Sequence, residues 1–294
     1  VGQANGQTWA FGLNLQGGLD YIKGMHDWRN SLTFLEGFSY GPPLNRFVKS
    51  ADKLNFQSIY YFKIPQVPWL GPFARFLLDT TVFEGADNRP APVTYRITYK
   101  NGSTLDLLNK NKMKLADSFL PLTLKEGIGM FARPISLEVF ELEARLGFGA
   151  QEVFATDQLA LNDDLKTTDI VELKELSSFN QAGAEAAIVM QGGLYDKKVN
   201  YKLYAEVMTP FIRPKAAGDN RGAFEMTNVE VGAKLSFKLV EWASVDYEFK
   251  ALRVPQMIDV FQIQNSLLLT FSYTLIKAKP AEPPAPAPAP ATAP

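Results

Sequence analysis

The chain has 294 residues, 46% of them hydrophobic, with a formal charge of −1 at pH 7 and no cysteine. Near-neutral charge leaves no basic footprint for nucleic acid, and the missing thiols exclude disulfides, thiolate metal centres and thiol nucleophiles. No apolar run reaches the ~20 residues that a spanning helix needs, which excludes a helical membrane protein. A charged leader followed by an apolar stretch is missing from the start, so any export signal is expected to have been removed. The absence of thiols is compatible with an oxidising compartment.

In chain order, two-residue alternation predicts eleven strands, at 8–23, 26–40, 52–64, 72–83, 119–131, 137–150, 181–195, 198–209, 224–239, 242–253 and 262–277. The first puts Trp9, Phe11, Leu13, Leu15, Leu19 and Tyr21 on one face. The third does the same with Leu54, Phe56, Tyr60, Phe62 and Ile64, and the sixth with Phe140, Leu142, Ala144, Leu146 and Phe148. In the ninth, Val229, Val231, Ala233, Leu235, Phe237 and Leu239 alternate with Glu230, Gly232, Lys234, Ser236 and Lys238. The tenth offers Val245, Tyr247, Phe249 and Ala251, and the eleventh Leu267, Leu269, Phe271, Tyr273 and Leu275. So many half-apolar strands in series predict an all-β, antiparallel up-and-down barrel in a membrane, with lipid outside and a polar interior. Single-chain bacterial barrels have even strand counts, so about twelve strands are expected, the twelfth preceding Trp9.

Connections alternate between short (23–27, 65–70, 132–136, 196–198, 240–241) and long (41–51, 84–118, 151–180, 214–223, 254–261). Short turns mark the periplasmic end of such barrels and long loops the extracellular end. Trp28, Trp69 and Trp242 lie beside short turns, as an interfacial aromatic girdle would. The barrel domain is 1–279, with insertions at 84–118 and 151–180. Within the first, 93–108 reads as a hairpin turning at Asn101-Gly102. Within the second, 169–176 reads as a short helix, and the acidic cluster Asp157, Asn162, Asp163 and Asp164 as a solvated loop lacking the glycine and terminal glutamate of a calcium loop. Residues 280–294, PAEPPAPAPAPATAP, form a polyproline-type tail that could extend ~45 Å on the periplasmic side. It is either a spacer or a handle for a periplasmic partner, gripped through Pro280, Pro283, Pro284, Pro286, Pro288 and Pro290.

By alternation the interior receives Asp20, Arg29, Lys53, Lys63, Arg75, Asp79, Lys125, Glu141, Glu143, Arg145, Glu185, Lys202, Glu206, Glu230, Lys234, Lys238, Asp246, Glu248 and Lys250. Ten are basic and nine acidic, interleaved on neighbouring strands. A selective diffusion pore would favour one sign, so this balance predicts a lumen filled by ion pairs. Two charges fall on the outward face, Glu36 and Glu126. β-bulges at Gly37 and Gly127 would turn them inward; a lateral protein contact is the other reading. The single histidine, His26, sits at the short-turn end, away from where an outer-leaflet Ser-His hydrolase would need it. Glu141 and Glu143 read as salt-bridge partners of Arg145 and Lys125 rather than an acid–base pair.

Trp28-Arg-Asn-Ser-Leu32 followed by Lys49-Ser-Ala-Asp-Lys-Leu54, and Phe119-Leu-Pro121 through Gly127-Ile-Gly-Met130 and Arg133-Pro134, resemble landmarks of an uncharacterised Gram-negative outer-membrane barrel family common in Bacteroidota. The resemblance spans residues 8–277. It departs at the family's first strand, which has no counterpart here, and at the Pro/Ala tail. It implies the fold and no catalytic residue. The expectation is a non-enzymatic outer-membrane barrel without cofactor or metal. It would contact lipid and lipopolysaccharide, act as a structural or partner-binding part of an envelope assembly, and dock its tail to a periplasmic partner. The alternative is a narrow channel for a small polar solute, with Lys53, Lys63, Arg75 and Arg145 among its contacts.

Overall fold

A computed structural model describes residues 9–42, 44–164, 167, 169–215 and 219–271. Every regular element among them is a strand. The wall is built from β1 (Trp9–Lys23), β2 (His26–Tyr40), β3 (Phe47–Phe62) and β4 (Leu70–Thr80). After an insertion holding β5 (Gly85–Thr98) and β6 (Thr104–Ala116), the wall continues with β7 (Leu122–Ser136) and β8 (Glu141–Phe154). A second insertion holds β9 (Leu159–Leu161) and β10 (Ile170–Glu175). The wall then completes with β11 (Phe179–Leu194), β12 (Val199–Ile212), β13 (Asn228–Val240), β14 (Ala243–Val254) and β15 (Ile258–Phe271).

The eleven wall strands form one antiparallel, nearly closed sheet in the order β1-β2-β3-β4-β7-β8-β11-β12-β13-β14-β15. Each is hydrogen-bonded to the next one in the wall, as alternation with up-and-down connections requires. Apolar members of the alternating sets are exposed: Leu15 is 55% exposed, Phe148 66%, Leu267 72%. Ile59, Tyr61, Phe73 and Phe131, on the opposite parity, are buried together. An apolar exterior around a packed interior is the reverse of a water-soluble sandwich. Residues 1–8, where a twelfth strand is expected, and the tail 280–294 lie outside the described residues. So do Tyr273 and Leu275 of the last strand's expected outward set.

Several boundaries differ from expectation. The segment 169–176 holds strand β10 (Ile170–Glu175), not a helix. Its Ile170, Leu173 and Leu176 spacing mimics a helical face, but Val171 and Leu173 alternate onto a buried face, 4% and 1% exposed. β10 pairs in parallel with β5 and antiparallel with β9, which joins the two insertions into one sheet, β6-β5-β10-β9. Tyr95, Ile97, Val171 and Leu173 form its core. The expected hairpin at 93–108 is longer, 85–116, and its turn holds three residues. Tyr99 pairs with Ser103, and Gly102 takes φ +81°, the left-handed position that such loops reserve for glycine. Burial and the hydrogen bond donated to Asp87 (2.8 Å) push the Tyr95 hydroxyl up to about 12. Leu173→Ala should cost the accessory sheet about 2–5 kcal/mol and leave the wall intact. Limited proteolysis should then cut within 85–116 and 159–175 while the barrel resists.

The connection expected to be long at 254–261 is a tight turn, closed by Met257 N–H donating to the Val254 carbonyl (2.9 Å). At the opposite end, the first turn is Gly24 and Met25, between β1 and β2 as the strands expected at 8–23 and 26–40 require, with Gly24 at φ +58°. Asp27 therefore belongs to β2 and is fully buried. The bulge expected at Gly127 is absent: β7 keeps regular register with β4 and β8 through Gly127 and shifts only between Ala132 and Ile135. Glu126 thus stays on the face of Ile128 and Met130, diagonal to Glu152. Between β2 and β3 the register does shift, at Gly37/Phe38, yet Glu36 is not turned inward. It remains opposite Leu13 and Asp52, and is buried beside the Lys49–Asp52 ion pair (2.6 Å). The backbone N–H groups of Val82 and Phe83 also donate to Asp52, so the chain leaving β4 folds over this spot.

Candidate functional site: the barrel lumen

The interior is filled in successive levels along the strands. Nearest the short turns, Asp27 on β2 receives Arg29 (2.8 Å), Arg133 (3.2 Å) and Lys63 (3.7 Å). Arg133 on β7 also holds Glu143 (2.7 Å) and lies 3.9 Å from Glu141. Tyr61 donates its hydroxyl to Glu143 (2.8 Å), and the Arg133 guanidinium stacks over the Tyr61 ring at 4.9 Å. Arg145 reaches Glu143 at 3.4 Å and faces the Phe73 ring. Asp27 and Arg133 lie three places apart in the wall order, so their contact crosses the interior.

Further along, Arg75 on β4 holds Glu185 on β11 (2.8 Å) and Glu206 on β12 (2.5 Å). Lys125 on β7 reaches Glu206 (3.3 Å) and Glu230 on β13 (3.1 Å), and Lys250 on β14 reaches Glu230 (3.0 Å). At about 4.8 Å per strand, the wall path from β4 to β12 is several times longer than the ion pair that spans it. Gly149 makes room for this level: a Cβ there would sit 2.5 Å from a Glu185 carboxylate oxygen. At Gly147 the strands themselves close in, and a Cβ would meet the Ile128 carbonyl at 2.1 Å.

An amide level follows. Gln181 and Asn228 both donate to the Gln151 side-chain oxygen, at 3.1 and 2.9 Å. Val153, Ala155, Leu176, Phe179 and Val254 then pack together at the long-loop end, with Leu252 and Met257 against them. The void beside Lys125 and Glu230 measures only about 20 Å³. A larger recess of about 440 Å³ opens at the short-turn end. Outside the lumen, Arg221 and Arg213 hold the Asp219 carboxyl well below the usual carboxylate range and tie down the loop between β12 and β13.

Of the interior set read from the sequence, Arg29, Lys63, Arg75, Lys125, Glu141, Glu143, Arg145, Glu185, Glu206, Glu230 and Lys250 are joined in these two ion clusters. Lys234 and Glu248 form a separate pair (2.8 Å). Asp79 accepts from Asn55 (2.9 Å) and Asp246 from Ser244 (3.1 Å). Asp20 lies exposed on edge strand β1. Lys53, Lys202 and Lys238 have no ion-pair partner among the described residues. Arg133 lies beyond the strand expected at 119–131, and Asp27 falls where the strand expected at 26–40 overlaps the turn expected at 23–27; neither is in the interior set, although each continues the inward parity of its strand. The amides Gln151, Gln181 and Asn228 escape a reading confined to charges. Trp28, Trp69 and Trp242 are all exposed at the short-turn end. His26 Nδ1 lies 2.5 Å from the Tyr60 hydroxyl and its ring packs edge-on to Phe62. The proline positions of the tail lie outside the described residues.

No family model matches this chain, and no curated protein matches it either.

Proposed function

We propose that this is an integral outer-membrane barrel whose filled lumen serves as a rigid support, a structural or partner-binding part of a cell-envelope assembly rather than a conduit or an enzyme. The observation that carries this is the layered interior: two ion clusters, an amide level and an apolar plug, with contacts that cross from one side of the wall to the other. A support gains from a cross-linked interior, whereas a conduit needs continuous water. The exposed apolar exterior supports lipid and lipopolysaccharide as its surroundings. Exposed Trp28, Trp69 and Trp242 at one end, and the packed rings of Phe11, Phe38, Tyr40 and Phe47 at the other, support two interfacial girdles. On this reading the short turns and the tail 280–294 face the periplasm, where the tail binds a protein partner, and the long loops face outward. The uncharacterised outer-membrane family remains the relative that the sequence points to. A non-enzymatic role is supported by the engagement of His26 with Tyr60 and Phe62 rather than with a serine.

Planar-bilayer recording tests the reading. The purified barrel should insert without steady current steps, and regular ohmic steps would replace the support with the narrow-channel alternative. Deleting 280–294 should release periplasmic proteins that co-purify with the intact chain.

A further inference from the structure

The 440 Å³ recess lies among β8, β11, β12 and β13, and its lining includes Glu141, Gln191, Asn200, Tyr201, Lys202 and Lys234. Its volume falls within the ~300–1,000 Å³ typical of small-molecule sites. Most of its polar groups are already committed. Glu141 accepts from Gln191 (2.7 Å) and Ser136 (3.1 Å), Tyr201 donates to the Val139 carbonyl (2.9 Å), and Asn200 donates to the Lys197 carbonyl (3.1 Å). At the rim, Lys197 takes Glu138 (2.9 Å), and across the sheet Lys234 takes Glu248 (2.8 Å).

Lys202 is the exception. It stands directly opposite Lys234 in the β12–β13 register and has no ion-pair partner among the described residues. Like charges in that position destabilise a sheet. Arg145, Lys234 and Arg29 raise the positive potential at Lys202, opposed by Glu143, which Arg133 and Arg145 already share, while Glu141 in the same lining is taken by Gln191 and Ser136. Lys53 and Lys238 also lack an ion-pair partner among the described residues, but neither lines this recess.

We infer that the recess is a binding site for a small anion bearing a carboxylate or phosphate group, with Lys202 as its principal cation. A neutral ligand would leave Lys202 uncompensated, since only Lys234 of the facing pair has a carboxylate. The recess opens at the short-turn end and the ion clusters close it beyond, so a ligand enters and leaves by the same mouth.

Calorimetric titration of the folded barrel in zwitterionic detergent at fixed ionic strength tests this, with inorganic phosphate, citrate and, as a neutral control, glycerol. At least one anion should bind saturably at one site, and the two arms identify the preferred group. Lys202→Met should weaken that binding at least tenfold, Lys202→Arg should retain it, and Lys53→Met should leave it unchanged. Because Lys202→Met removes a like-charge pair, the variant should melt no lower than the unsubstituted chain, so its loss of binding reports on the site and not on folding. Absence of binding by both anions, or equal binding to Lys202→Met, would overturn the inference. Steady conductance would instead defeat the support reading alone, so the two failures are distinguishable.

Discussion

Arg75→Met is expected to lower barrel stability by about 3–5 kcal/mol, the usual consequence of removing one partner from a buried ion cluster. The Arg75 side chain is 2% exposed and holds both Glu185 and Glu206, with side chains only 6% and 14% exposed. Methionine fills much of the volume but leaves two carboxylates, on the neighbouring strands β11 and β12, without the guanidinium they share. Lys125 still reaches Glu206, so Glu185 should suffer most. Denaturant unfolding in micelles, followed by tryptophan emission and by the mobility of unheated samples on gels, measures the loss. Adding Glu185→Gln should recover a large part of it, since a neutral amide does not require the guanidinium. A loss below about 1 kcal/mol for Arg75→Met would show that water reaches this level and that the interior is not sealed.

Phe179→Ala should cost a similar amount, about 3–5 kcal/mol, for a different reason. Phe179 is 7% exposed and packs with Val153, Ala155, Leu176 and Val254, where β8, β11 and β14 meet at the long-loop end. Truncation leaves a cavity that strands locked in a wall cannot collapse around. The two effects should nearly add, because the sites share no partner. Neither variant alone should conduct, since the other barrier remains. Steady current through Phe179→Ala alone would show that the ion clusters do not block the interior.

The wall is legible in the sequence because a strand in a barrel wall has a strict rule to follow. Each residue faces either the exterior or the interior, so an apolar position every second residue marks both the strand and its orientation. Expectation fails where that rule lapses. In 169–176 the accessory sheet buries only one face, three apolar residues fall at helical spacing, and the partner strand β5 is distant in sequence. A bulge is the expected rescue for Glu126, but the register shows instead that the wall tolerates a half-buried carboxylate beside Glu152.

Side-chain parity is a local property, and it is enough to specify an antiparallel wall of alternating strands, which residues face its interior, and the near balance of cations and anions there. Which of those charges meet is another matter. That Asp27 and Arg133 bind across the interior, that Arg75 joins two carboxylates from distant strands, and that Lys202 has no ion-pair partner among the described residues all emerge with the folded barrel. Ion pairing depends on the curvature and shear that bring distant strands face to face, and parity along one strand carries no information about what lies opposite.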